Sequence, residues 1–292
     1  MSAPHGSYYV PEQSAWPIIG SIALFFFAVG SLNFGSGWGE LFSIVGILML
    51  MYMLFGWFRA VIKESRAGLY DAQMDRTFRW ALFWFFVCEF FLFGILIGAL
   101  MYVRFSTLPW LAGHGAGGSV MTHYVLWPNF QVTWPLVKNP APYLFAGLQN
   151  APSAWMLPTI ISAFLLISAV ITIMSLSASR KGNPWAPATG LLASIMLCTL
   201  ALFLQFHYYF LVMQQDALTI NSGIYASLYF MLTAVLFLHV LVAVVFLSVI
   251  LVRCSMGHYV RGGNYYSFEA VAWFMGFVSI MWLLAFICLY ML

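Results

Sequence analysis

Long apolar runs broken by short polar punctuation organise this chain. A bilayer core of about 30 Å needs roughly 20 apolar residues in a helix. Windows of that kind fall at about 16–34, 41–62, 80–104, 155–178, 186–213, 221–252 and 266–291. The first is closed by the turn-rich NFGSGWGE; the fourth is opened by Pro152 and Pro158 and closed by SRKGNPW. Each is expected to be a helix, because a lone segment in lipid must satisfy its own backbone. The pattern predicts one all-α integral membrane domain over 1–292 with seven transmembrane helices. A polar tail covers 1–15, a loop 63–79, and a long loop 105–154. That loop carries Pro109, Pro128, Pro135, Pro140, Pro142 and Pro152 with several glycines, and is expected to be ordered coil.

Composition agrees. The 292 residues are 63% hydrophobic and only 7% charged, where a soluble domain carries about 25%. Placement of charge says more than the net +3. Arg59, Lys63, Arg66, Arg76, Arg79, Arg180, Lys181, Arg253 and Arg261 fall on one side; Arg104 and Lys138 fall on the other. The positive-inside rule then expects a cytoplasmic N-terminus and a periplasmic C-terminus. The opening MSAPHGSYYVPEQSAWP lacks a basic n-region and a small-residue cleavage site, so it is expected to be a tail rather than a leader. So few basic residues offer no footprint for nucleic acid.

Chemistry is sparse. Cys88, Cys198, Cys254 and Cys288 are scattered with no CxxC, as expected of buried small hydrophobes. Of the histidines, His5, His114, His123 and His258 lie outside the windows. His207 and His239 lie inside them, on neighbouring segments and at depths expected to differ, a weak basis for a metal pair. No GxSxG, phosphate loop or dinucleotide fingerprint occurs. Glu89 is the exception that asks for an account. An acid at a helix centre costs about 2.5–3.5 kcal/mol on insertion scales. It is either a proton-linked functional carboxyl or a neutral acid hydrogen-bonded across a helix interface, and the residues alone leave both open.

Several stretches resemble one family. GWFRAVIKES (56–65) is similar to the close of the second helix in subunit III of haem-copper cytochrome c oxidases, and RAGLYDAQMDRTFRW looks like the loop of its proteobacterial forms. RWALFWFFVCEFFLFG resembles the family's third helix with its buried acid, here Glu89. SAWPII, VLWPNFQVTWPL, LTINSGIYASLYFMLTAVLFLHV and YYSFEAVAWFMGFVSIMWL resemble the entry to helix one, an outer loop, helix six and the last helix. The resemblance runs the length of the chain and is weakest over about 105–160.

The resemblance implies a fold of two plus five helices, 16–62 and 80–291, separated by a V-shaped cleft filled with phospholipid. It implies a non-catalytic accessory subunit of a proton-pumping oxidase that reduces oxygen to water. Haem and copper would sit in partner subunits, subunit I in direct contact and subunit II in the same complex, in a bacterial inner membrane. Trp57, Arg59, Glu64 and Glu89 match family positions. So do His239, Arg253 as a headgroup residue, and Glu269. There are departures. The last helix reads Trp273, Phe274, Met275, Gly276, Phe277, Val278, Ser279, where the family has His at the fourth place and Asp at the seventh. Leu236 stands for a helix-six histidine, and the Gln205–Tyr209 segment lacks the family acid. A free-standing proton-linked transporter or channel using Glu89, or an accessory subunit of a nitric-oxide reductase, are the alternatives.

Overall fold

A computed structural model describes residues 13–144, 146–183, 185–259 and 265–292. The N-terminal tail through residue 12, with His5, and Arg261 lie outside the described residues. No strand occurs among the described residues. The helices are α1 (Trp16–Leu32), α2 (Trp38–Arg66), α3 (Ala72–Tyr102), α4 (Leu108–Leu111), α5 (Ser119–Leu126), α6 (Leu157–Arg180), α7 (Ala186–Gln215), α8 (Ile224–Ser255) and α9 (Tyr266–Phe286). Among the described residues, six helical runs are long and apolar enough to cross a membrane; α1, with 17 residues, is shorter. At 1.5 Å per residue it extends about 25 Å. The chain is a membrane-embedded helical protein.

The residues form two compact units that divide inside α3, after Phe83. In the first, α1 and α2 form a hairpin whose buried positions are all small: Gly20, Ala23 and Gly30 against Gly39, Ser43 and Gly46. A side chain on Gly46 would strike Phe27 N at 2.5 Å and Ala23 O at 2.8 Å. The two backbones therefore meet directly, while Phe25, Leu48 and Phe55 stay 60–70% exposed. Van der Waals contact at small residues drives helix association in lipid. The turn between them uses Gly35 and Gly37 at positive φ and Ser36, whose hydroxyl accepts from Gly39 N.

The expected loop 63–79 is mostly helix. Only residues 67–71 separate α2 from α3. Asp71 accepts hydrogen bonds from the backbone N–H groups of Gln73 and Met74, which starts α3 early. Asp75 and Arg79 pair one turn apart at 2.8 Å. The charges that marked a loop in the sequence are the polar ends of two helices.

In the second unit α6, α7, α8 and α9 share a core that includes Ile161, Leu165, Tyr229, Leu236, Phe268 and Met275. A polar seam runs through it. Ser168 and Ser194 donate to each other's carbonyls across α6 and α7. Ser279 donates to Leu165 O, and Trp282 Nε1 to Ser162 Oγ, joining α9 to α6. The segment expected to be coil contains α4 and α5. Its apolar stretch 119–126 follows Gly117 and Gly118, both at positive φ, and stops before Pro128. The remainder is pinned: Asn139 donates to Ser222 O, Gln149 N to Asp216 O, and Tyr208 to Ser153 O.

Candidate functional site: a buried carboxyl–imidazole pair

Glu89 lies near the middle of α3 and His239 near the middle of α8. Their side chains meet, Oε2 to Nε2, at 2.9 Å. Both are largely enclosed, Glu89 16% and His239 11% exposed. The Phe93 ring stands edge-on to the imidazole at 5.1 Å and the Phe274 ring stacks on it at 6.1 Å. His239 Nδ1 lies 2.7 Å from the carbonyl oxygen of Val235, one turn back.

That last contact fixes the proton count. A carbonyl oxygen only accepts, so Nδ1 carries a hydrogen and donates it. One proton then remains for the Nε2–Oε2 contact. Either the carboxylic acid donates to a neutral imidazole, or an imidazolium donates to a carboxylate. Both arrangements have zero net charge. This is how the helix tolerates an acid at mid-depth: the charge is either absent or matched in place. Of the two sequence readings for Glu89, the interface hydrogen bond is present.

The other candidates fall into separate places. Trp57 and Arg59 are exposed near the end of α2, with Trp57 stacked on Phe58. Glu64, two turns beyond Trp57, accepts from the Tyr70 hydroxyl at 2.7 Å. Glu269, in the first turn of α9, pairs with Arg180 at the end of α6. Arg253 donates to Ser267 Oγ at 2.8 Å and lies over the Tyr259 ring. His207, the other histidine within a span, is exposed on α7 and is not brought to His239. Among the described residues, no three of His, Cys, Asp and Glu converge.

The departures from the family pattern have visible consequences. Leu236, in place of a histidine, is 1% exposed in the core. A side chain on Gly276, in place of another, would meet open space. Ser279, in place of the aspartate, donates to Leu165 O on α6. Val235, Phe93 and Phe274 escaped the sequence reading. A carbonyl acts through geometry, and two phenylalanines among 28 carry no signal of their own.

Comparison with known proteins identifies the relatives. The sequence model for Cytochrome c oxidase subunit III matches residues 5–113 and 141–292. The interval between these matches belongs to the long loop. Cytochrome c oxidase subunit 3 of Paracentrotus lividus is 28% identical over 295 residues, covering 99% of this chain and 98% of that one. The proteins of the same name from Papio hamadryas and Homo sapiens are 26% and 25% identical over 285 residues, each covering 97% of this chain and 96% of its own length. With almost its entire length matched by the family and by full-length relatives, the chain belongs to the cytochrome c oxidase subunit III family.

Proposed function

We propose that this chain is the accessory third subunit of a haem-copper oxidase that reduces oxygen to water and pumps protons. The family match over 5–113 and 141–292 carries the reading. In this reading the chain contains no catalytic centre. It packs against subunit I, travels with subunit II, and leaves haem and copper to those partners. It lies in a bacterial inner membrane with its N-terminus inside, and α1 is a seventh span. Nine of eleven basic residues on one side support that orientation. Purifying the chain from its native membrane should recover a haem-bearing partner. A complex without haem would overturn the proposal.

The first two helices and the remaining five would part around bound phospholipid. Trp57, Arg59 and Glu64 supply an aromatic, a cation and an acid at one helix end, the chemistry of a headgroup level. Arg253 would serve similarly on α8. Arg59→Ala with Trp57→Ala should lower the lipid that co-purifies, measured by mass spectrometry; an unchanged lipid count would remove the site. Glu89 and His239 form a neutral proton-holding pair that supports proton uptake and the working lifetime of the complex. Glu89→Ala should shorten turnover-dependent lifetime more than it lowers the initial rate of oxygen reduction. A free-standing transporter would instead show proton flux in vesicles containing this chain alone, lost in Glu89→Gln.

A further inference from the structure

A cavity of about 670 Å³ opens at the end of the bundle that carries the long loop. Small-molecule sites occupy roughly 300–1,000 Å³. Thr107 and Leu108, where the turn after α3 meets α4, form one side. Ile220, Asn221 and Ile224, at the entry to α8, form another. The long loop closes it with Trp127, Leu136, Asn139 and Leu144. The inner wall is firmly set. Leu108, Leu136 and Asn139 are 1%, 2% and 7% exposed. Asn139 donates to Ser222 O at 2.9 Å, and a side chain on Gly223 would strike its amide. Trp127, Leu136 and Asn139 fall in the interval 114–140, which the family model does not match. The wall they build is therefore not one that the family match supplies.

The lining selects the kind of ligand. None of its residues carries a charge. A phosphate or carboxylate would lie there without a counter-charge, which is costly away from water. Among the described residues, the Thr107 hydroxyl and the Asn221 amide line the cavity without a hydrogen-bond partner in the chain. Both are donors that call for an acceptor. The Ser227 hydroxyl is already committed to Ile220 O and Gly223 O. Trp127 contributes an indole, and flat rings stack on such a group. The rim is apolar and open: Leu144, Ile220 and Ile224 are 66%, 62% and 47% exposed. We propose that this cavity binds an uncharged amphiphile with a carbonyl-bearing ring of the benzoquinone type. The ring lies by Trp127, its carbonyl oxygens accept from Thr107 and Asn221, and its tail leaves past Ile220 and Ile224. The proposal does not rest on the oxidase reading.

The test treats the purified complex with an azido-ubiquinone photolabel and maps the labelled peptides by mass spectrometry. Label should fall within 107–144 and 220–227, and decylubiquinone should displace it. Thr107→Val keeps the shape but loses the hydroxyl, and Asn221→Leu removes an exposed amide. Each should weaken decylubiquinone binding about two- to ten-fold, the size of one net hydrogen bond. Ala141→Phe places a ring in the cavity that Ala141 lines and should abolish labelling there. If Ala141→Phe fails to assemble, the two polar variants still decide. Label confined to a partner chain, or equal binding by wild type and all three variants, would overturn the proposal. Loss in Ala141→Phe with no change in the other two would overturn the carbonyl contacts in favour of a purely apolar ligand. Displacement of the label by palmitate or phosphatidylglycerol would overturn it in favour of an anionic lipid.

Discussion

The α1–α2 hairpin and the α6–α9 bundle face the same difficulty, since lipid tails are as apolar as leucine and give helices no hydrophobic reason to associate. The hairpin answers with glycine. Gly30, Gly39 and Gly46 let one backbone rest on the other, and no side-chain hydrogen bond is needed across that contact surface. The bundle answers with hydroxyls and an indole, Ser168 with Ser194, Ser279 with Leu165 O, and Trp282 with Ser162. Glycine contacts depend on shape and fail abruptly when a single carbon is added. Hydroxyl contacts depend on several weak bonds and degrade by increments.

The largest effect should come from breaking the hairpin. Gly46→Val adds three carbons, the first of which already strikes the backbone of α1 at Phe27 N and Ala23 O. The expected loss is about 3 kcal/mol, read as chemical unfolding of the chain in detergent or as protease sensitivity of the connection 33–37. A tolerance close to that of Gly276→Ala, where the added carbon meets open space, would remove the contrast. Glu89→Ala comes next. It leaves His239 Nε2 without a partner and should cost about 1–3 kcal/mol. Glu89→Gln should cost far less, because its amide donates to Nε2 while removing the shared proton. Equal destabilisation by both would show that the proton itself matters for folding. Ser279→Ala should cost only about 0.6 kcal/mol, the usual size of one hydrogen bond between membrane helices, measured by the same unfolding assay.

The smallest effect is electrostatic. Asp216, just past α7, has its carboxyl pushed above the usual range by burial, with a hydrogen bond from Asn150 opposing. The folded state therefore holds the proton more tightly than the unfolded chain. That advantage is complete below the unfolded value and is lost as pH rises through the folded one. At neutral pH, Asp216→Asn should raise the thermal midpoint slightly, and the difference should close as pH falls through the ordinary carboxylate range near about 4. A difference independent of pH would point to packing instead.

The helices were legible because their apolar runs are long and each is interrupted by glycine, proline or charge. The ends were less so. Asp71, Asp75 and Arg79 looked like a loop when the first caps α3 and the other two lie in its opening turns, since charge marks the membrane boundary rather than the helix boundary. The loop helices α4 and α5 were hidden by the prolines around them. Glu89 stood out as the one acid deep in an apolar run. His239 was visible as a residue but not as its partner, because the sequence separates them by 150 positions and gives no depth. The hydroxyl seam was hidden for a related reason: scattered serines in apolar helices carry no period strong enough to name a contact.

The Glu89–His239 pair has an electrical consequence. Because both arrangements are neutral, no monopole is created when the proton crosses from oxygen to nitrogen. Only a dipole turns, and the heavy atoms it spans are 2.9 Å apart. A full charge crossing the membrane gains about 2.3 kcal/mol per 100 mV. Spread over about 30 Å of hydrocarbon, the voltage acting on this pair is worth at most about 0.2 kcal/mol per 100 mV. The membrane potential is too blunt to decide where that proton rests. Hydration beside Phe93 or Phe274 is the stronger electrostatic influence on where that proton rests, because water changes the local dielectric around both arrangements.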